Sequence, residues 1–412
     1  MEKKYCLIGK SLKHSFSPQI HAYLGDYDYS LVEVAKENLQ SFVEDKEYAG
    51  YNVTIPYKKD IIEYLDDVQD VAKEIGAVNT VVNKNGKLIG YNTDFYGIVY
   101  SLERAGISLT NKKVMILGSG GTSGTATVVA KHGEAREIVI VSRSGENNYQ
   151  NYHLHKDTEV IINTTPVGTY PNNYESLVDL DKFEHLEGVL DVIYNPMLTK
   201  LLVQAKKKGI KYSNGLPMLV AQAKQSAAYY FDKPIDDEKI EIAINSFERK
   251  NQNVVLIGMS GCGKTTIGKL VAEKLNREFI DTDLEIVKKD GRDIPTIFKE
   301  SGEEYFRDLE RQVLSEVGVL SSKVIATGGG IVENGENYFP LKQNGKIFYL
   351  QRQIQDLDRS GRPLVSSVTA VKKLFERRRQ KYLDFADVLI DNNKELQNTV
   401  GEIIKHYEDF SD

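Results

Sequence analysis

Along the first hundred residues, short apolar runs alternate with amphipathic ones at 4–9, 18–24, 29–35, 39–43, 50–54, 59–65 and 77–82. Alternation on that scale predicts an α/β layer. The run Val114-Met115-Ile116-Leu117 has no polar interruption and predicts a buried strand, which passes through a Gly-rich stretch, 118–124, into a helical pattern at 125–131. Further strands are expected at 137–141 and 159–162. Between them, 145–157 is polar, aromatic and short where a full crossover helix is expected. Segments 216–231 and 237–249 read as helices. Lys250-Asn251-Gln252 is the only linker, and Val254-Val255-Leu256-Ile257 then opens a second strand–loop–helix series.

Polar residues gather where the predicted strands end. Ser15 and Ser17 are two apart, as are Asn52 and Thr54, so in extended chain each pair faces one way. Pro56 stops a strand just before Lys58, Asn79 is expected to close another, and Asn92 and Asp94 form a further pair. Such a lining of hydroxyls and amides suits a small polyol. The plainer reading is local: Ser17-Pro18 and Thr93-Asp94 would serve as helix caps or turns.

Two glycine-rich loops follow strands. Gly118, Gly120 and Gly121, with Thr122 and Ser123, lie between strand and helix, where a dinucleotide pyrophosphate rests on the helix N-terminus. The next strand ends in Ser142-Arg143-Ser144. Hydroxyls and a guanidinium in place of a ribose-binding carboxylate favour NADP(H) over NAD. The second loop is Gly258-Met259-Ser260-Gly261-Cys262-Gly263-Lys264-Thr265, followed by Thr266. Its backbone N–H groups would cradle the phosphates of ATP, Lys264 adds a cation, and the Thr265 hydroxyl can ligate Mg²⁺. Asp281 and Asp283 share a strand end, so one carboxylate can reach the metal while the other meets an acceptor hydroxyl.

Composition narrows the classes. Hydrophobic residues make up 41% and charged residues 27%, which indicates neither disorder nor a membrane protein. The expectation is a cytoplasmic enzyme: no signal peptide or membrane span is visible, and Cys6 and Cys262 form no disulfide framework. A net charge of −6 argues against nucleic-acid partners. Oligomeric state is not encoded in any pattern found.

Four blocks, His14-Ser15-Phe16-Ser17-Pro18-Gln19-Ile20-His21, Gly50-Tyr51-Asn52-Val53-Thr54-Ile55-Pro56-Tyr57-Lys58, Gly76-Ala77-Val78-Asn79-Thr80 and Gly90-Tyr91-Asn92-Thr93-Asp94, resemble shikimate dehydrogenase in order and spacing. Asn163-Thr164-Thr165-Pro166-Val167-Gly168, Asp191-Val192-Ile193-Tyr194-Asn195-Pro196 and the stretch from Gly215 to Ala223 continue the pattern, so the resemblance covers 3–249. It implies Lys58 and Asp94 as the catalytic pair, and Ser15, Ser17, Thr54, Asn79, Tyr194 and Gln222 at the substrate. Thr164 and Gly215 would lie by the cofactor. A lysine beside a carboxylate can polarise a ketone and supply the proton its reduction requires. The family's usual Asn-Arg-Thr is here Ser142-Arg143-Ser144, and Asn147 stands where a second arginine is usual.

Residues 253–408 resemble shikimate kinase through the phosphate loop and five later features. These are Asp281-Thr282-Asp283, the Arg307–Glu310 pair, Gly328-Gly329-Gly330 and the basic stretches Arg359-Ser360-Gly361-Arg362 and Arg377-Arg378-Arg379. The resemblance implies that Asp283, Arg307, Arg378 and the three glycines hold shikimate, with Asp283 orienting the accepting hydroxyl. Lys264 and Arg362 would stabilise the transferring phosphoryl group, and Arg359 would reach ATP. Only two residues separate Arg359 from Arg362, which is short for this family. Adjacent helical residues point about 100° apart, so one of the three arginines at 377–379 should face the pocket.

The fold expected is α/β. A two-lobed dehydrogenase has its substrate lobe at 1–100 plus 215–249 and its Rossmann lobe at 101–214. A linker at 250–252 leads to a P-loop domain resembling nucleoside-monophosphate kinases, with a parallel sheet, at 253–412. The implied function is reduction of 3-dehydroshikimate followed by phosphorylation of shikimate. The alternatives are a quinate-type dehydrogenase using NAD, or a first half that binds and regulates without catalysing.

Overall fold

The computed structural model describes residues 3–12, 15–358 and 368–408. It comprises two compact units, one formed by residues 1–195 and 199–246, the other by 196–198 and 247–412.

The first unit carries two sheets. In the first, β1 (Tyr5–Gly9), β2 (Tyr29–Glu33), β3 (Gly50–Val53), β4 (Asp67–Val68), β5 (Thr80–Lys84) and β6 (Lys87–Tyr91) lie in the order β2-β1-β3-β5-β6-β4. β1 pairs in parallel with β2 and β3, while β3–β5 and β5–β6 are antiparallel. The second sheet is parallel throughout: β7 (Lys113–Leu117), β8 (Glu137–Val141), β9 (Val160–Asn163), β10 (Gly188–Asp191) and β11 (Lys211–Ser213), ordered β11-β10-β9-β7-β8. A parallel strand covered on both faces must be apolar on both. β7 shows this, with all five of its residues buried.

Segment 59–65 forms a 3-10 helix, Asp60–Tyr64, and one expectation shifts. The strand expected at 77–82 begins at Thr80, so Asn79 opens it rather than closing it. The register is set by the hairpin turn Asn85-Gly86, whose positive φ values of 55° and 86° suit a two-residue loop between Lys84 and Lys87.

Strand order reverses around β7, which has β8 on one side and β9 on the other. Ligands of open α/β sheets bind beyond the carboxyl ends of strands at such a point. Where a crossover helix is missing, the chain makes a single 3-10 turn, Tyr152–His155.

The second unit holds a parallel sheet of β12 (Asn253–Ile257), β13 (Glu278–Asp281), β14 (Lys323–Ala326), β15 (Gly345–Gln351) and β16 (Val388–Asp391), in the order β13-β14-β12-β15-β16. Every residue of β12 is buried, and its carboxyl end delivers the phosphate loop. The linker shrinks to one residue. Lys250 and Asn251 complete the Glu238–Asn251 helix, leaving Gln252 before β12. Among the described residues no helix is long and apolar enough to cross a membrane.

Candidate active sites

In the first unit a cleft of about 420 Å³ is lined by Ser15, Ser17, Thr54, Lys58, Asn79 and Asp94, with Thr122, Tyr194, Gly215 and Gln222. Lys58 lies in the turn after β3 and Asp94 in the first turn of the Thr93–Arg104 helix. The Lys58 ammonium donates to Asp94 Oδ2 at 2.6 Å, the two side chains being 24% and 10% exposed. Ion pairs so sheltered have lost much of their water, so each charge depends on the other.

Neither Ser17 nor Thr93 is a helix cap. The N-cap positions belong to Phe16, whose side chain makes no capping bond, and to Asn92, which accepts from the Phe95 N–H. Ser17 is thereby left to the cleft, where Ser15 Oγ donates to it at 3.1 Å. Tyr194 packs its ring edge-on to Phe16, with centroids 5.8 Å apart. Gly215 is needed as glycine, because a Cβ there would run into the Val192 carbonyl.

The loop after β7 turns at Gly118, with φ of 110°, and the Gly121–His132 helix begins without a side-chain cap, so its first N–H groups stay available for an anion. A Cβ at Gly120 or Gly121 would meet open space. Ser123 and Thr164, expected at the cofactor, have their hydroxyls turned inward. Ser123 Oγ donates to the Gly118 carbonyl at 2.8 Å and Thr164 Oγ1 to that of Leu117 at 2.7 Å, so both brace the loop. At the end of β8, Ser142 is buried and its N–H donates to the Asn147 carbonyl at 3.1 Å, while Arg143 and Ser144 are exposed. The Asn147 side chain is engaged by His155 Nε2 at 2.9 Å.

In the second unit a cavity of about 310 Å³ is lined by Ser260, Gly261, Gly263, Lys264, Thr265, Thr266, Asp281, Asp283 and Gly329. Gly263 caps the Lys264–Leu275 helix with φ of 99°, a left-handed conformation that a side chain would strain. Lys264 Nζ donates to the carbonyls of Gly258 (2.8 Å) and Met259 (3.0 Å). Cys262, expected among the ATP contacts, is buried to 1% exposure and its N–H donates to the Met259 carbonyl, which makes it part of the loop's support. Thr265 Oγ1 donates to Asp281 Oδ2 at 2.7 Å, and Asp281 Oδ1 accepts from the Asp283 N–H. A hydroxyl and a carboxylate this close fit Mg²⁺, which keeps most of its shell as water and phosphate oxygen.

Gly328, Gly329 and Gly330 each make room for a different group. A Cβ would press on Asp283 Oδ1 at Gly328, on Ser260 at Gly329 and on the Arg307 guanidinium at Gly330. Arg307 is held by Glu303 (3.0 Å) and by Glu310 (3.0 Å), whose carboxyl is pushed up by burial against the opposing pull of Arg307. Of the three arginines, Arg378 faces inward at 2% exposure, while Arg377 and Arg379 are exposed. Arg378 donates to the Gly329 carbonyl at 2.9 Å and to Glu333 at 2.7 Å. Arg359 and Arg362 lie outside the described residues.

Several site residues had no signal in the sequence. Glu333 joins Arg377, Arg378 and Lys381, and although burial opposes it, those three cations hold its carboxyl down to about 2. Arg352, Asp356 and Asp358 also line the phosphate-loop cavity. An acidic residue after Gly-Gly-Gly and an arginine after β15 belong to no motif, and only the fold brings Glu333 to Arg378 and Arg352 to the cavity.

Comparison with known proteins identifies the two halves. Residues 7–81 match the family model of the shikimate dehydrogenase substrate binding domain, and residues 260–408 match that of shikimate kinase. A shikimate dehydrogenase (NADP(+)) from Caldicellulosiruptor bescii is 40% identical over 260 residues, covering 56% of this chain and 90% of the relative. One from Methanococcus maripaludis is 39% identical, covering 58% and 95%. Among solved structures, a chorismate mutase/shikimate 5-dehydrogenase fusion protein from Clostridium acetobutylicum aligns with a TM-score of 0.58 at 35% identity, over 61% of this chain and 98% of that one. The shikimate 5-dehydrogenase of Thermus thermophilus, in complex with NADP(H) and shikimate, aligns at 0.54 and 26% identity, over 59% and 99%. The chain therefore belongs to the shikimate dehydrogenase family, and joins to that enzyme, in one polypeptide, a shikimate kinase domain of the P-loop fold.

Proposed function

We propose that this bifunctional enzyme reduces 3-dehydroshikimate to shikimate with NADPH and then phosphorylates the shikimate 3-hydroxyl with MgATP. The observation that carries the first step is the Lys58–Asp94 pair at 2.6 Å, opening onto a cleft of hydroxyls and amides that also reaches the cofactor loop at Thr122. NADPH supplies the hydride. Lys58 polarises the ketone oxygen and delivers a proton to it as the alkoxide forms, while Asp94 holds the ammonium in place and stabilises its charge. Ser15, Ser17, Thr54, Asn79, Tyr194 and Gln222 orient the ring. The first N–H groups of the Gly121–His132 helix receive the pyrophosphate, and Arg143 meets the 2′-phosphate. The exposed guanidinium at the end of β8, with no carboxylate in the Ser142-Arg143-Ser144 turn, favours NADPH over the NAD reading.

In the second unit Asp283 orients the accepting hydroxyl, Arg307 and Arg378 take the substrate carboxylate, and Lys264 stabilises the γ-phosphoryl group. Thr265 and Asp281 would hold Mg²⁺, which screens the phosphate charge. We assign substrate recognition in the dehydrogenase to 1–100 plus 215–249, cofactor binding to 101–214 and the kinase to 253–412.

The test is a single mixture of protein, 3-dehydroshikimate, NADPH and MgATP. Shikimate 3-phosphate should form with one NADPH consumed per product. Consumption of NADPH without phosphorylated product removes the kinase assignment. Phosphorylation only when shikimate itself is supplied removes the dehydrogenase assignment, and faster turnover of quinate with NAD reverses the specificity.

A further inference from the structure

The amides that line the dehydrogenase cleft do not choose their own orientation. Among them is Asn52, 5% exposed and fully engaged. Its Oδ1 accepts from the hydroxyls of Tyr29 at 2.7 Å and Tyr230 at 2.9 Å. An oxygen that receives two phenol hydrogens fixes which end of the amide is nitrogen. Asn52 Nδ2 therefore donates the other way, to Ser226 Oγ at 2.8 Å and Thr80 Oγ1 at 2.9 Å. Each hydroxyl, having accepted one hydrogen, sends its own onward. Ser226 donates to the Gln222 carbonyl at 2.9 Å, and Thr80 reaches Thr93 Oγ1 at 3.1 Å.

Thr93 is the last member, 1% exposed and directly before Asp94. Its N–H donates to Asn79 Oδ1 at 2.7 Å, and its hydroxyl lies 3.2 Å from that oxygen and 3.4 Å from Gln222 Oε1. The Asn79 and Gln222 amides thus have their oxygens turned toward Thr93. Gln222 spends one N–H on the Leu219 carbonyl at 3.0 Å, and the remaining amide hydrogens are left for the cleft.

We infer that Thr93 is a positioning residue of the dehydrogenase: by holding the amide oxygens of Asn79 and Gln222 it makes both side chains hydrogen-bond donors toward the bound substrate. This rests on the reading of the cleft as the shikimate site. A substrate is then recognised at these two positions through oxygens that accept. Without the Thr93 hydroxyl, the Gln222 amide can rotate and present its own oxygen, which repels the same groups.

The experiment measures shikimate oxidation with NADP⁺ for the full chain and for Thr93→Val and Thr93→Ser. The Val variant should raise KM for shikimate about tenfold or more, with kcat and KM for NADP⁺ each within threefold. The Ser variant should stay within threefold of the parent in all three. An unchanged KM in Thr93→Val overturns the inference. So do equal losses in both variants, which mark a packing effect, or parallel rises for shikimate and NADP⁺, which mark a general loosening. Should Thr93→Val fail to fold, Ser226→Ala removes a hydroxyl that lies 3.1 Å from Thr93. A rise of threefold or more confined to shikimate upholds the inference, and no rise overturns it. If the unmodified chain does not oxidise shikimate with NADP⁺, the reading of the cleft fails instead.

Discussion

Lys58 Nζ and Asp94 Oδ2 lie 2.6 Å apart, although one residue follows a strand of the substrate-lobe sheet and the other begins a helix 36 residues later. Their meeting depends on the sheet. Asn79 N–H donates to the Tyr91 carbonyl and Val78 N–H to that of Lys58, which ties both polypeptide ends to the same corner of the cleft.

Replacing Lys58 with methionine keeps the length of the side chain and removes the proton source. We expect kcat for reduction of 3-dehydroshikimate to fall by roughly 10²–10⁴-fold, the range associated with general acid catalysis. Phosphorylation of added shikimate should be unchanged. Lys264→Met should give the opposite pattern. Both rates are measured on one preparation, by NADPH absorbance and by shikimate 3-phosphate.

Glu333 anchors Arg378 in the kinase pocket. Glu333→Gln should raise KM for shikimate in the kinase reaction several-fold, with KM for ATP little changed. The Glu333 carboxyl, held at about 2 by its three cations, titrates below its unfolded range. Its stabilising contribution is therefore present above about pH 4.5 and lost as the pH falls toward 2. A kinase profile between pH 6 and 9 should show no step that disappears in the Gln variant.

Asp191 has the opposite sign. It is fully buried, and burial pushes its carboxyl up to about 6 despite hydrogen bonds from Thr199, the Ile193 N–H and Asn163. A raised value means that stability is greatest below the unfolded range near 3.8 and declines as the pH rises to about 6. Asp191→Asn should flatten that dependence. Thermal melts of the two proteins from pH 4.5 to 7.5 should diverge in favour of Asn as the pH increases.

Gly120 separates a functional glycine from a structural one. A methyl group there meets no protein atom, so Gly120→Ala should leave the melting temperature within about 2 °C, while a side chain on the phosphate-binding turn blocks close approach of the pyrophosphate. KM for NADPH should rise at least tenfold. Gly215→Ala, with its Cβ against the Val192 carbonyl, should lose stability as well.

Arg143 is the cation expected at the 2′-phosphate. Arg143→Ala should raise KM for NADPH by five- to twentyfold and leave KM for NADH unchanged, since only NADPH carries the group it would meet. Equal changes with both cofactors would remove that role.

Most of the α/β pattern could be read from the chain because parallel strands buried on both faces leave uninterrupted apolar runs, as in β7 and β12. The phosphate loop and the gathering of polar residues at strand ends were legible for a related reason: each is local in sequence. What escaped depends on long-range contact. Asn79 stands before its strand and does not close it, because the Asn85-Gly86 turn, further along the chain, sets the register. Thr93 resembled a helix cap, and only the folded hydroxyl network gives it another part. Ser123, Thr164 and Cys262 sit in the right loops, but a motif does not say which side chains face a ligand and which face the backbone.

Ser15, Ser17, Thr54, Lys58, Asn79, Asp94 and Gln222 all belong to the lobe assigned to substrate recognition, whereas the glycine loop, Arg143 and, alone among the ring-orienting residues, Tyr194 belong to the other. The proton source and the ring-binding amides thus share one lobe, while the expected phosphate contacts of the cofactor share the other. Substitutions in the glycine loop should therefore alter saturation by the cofactor while leaving the acid and the amides in place.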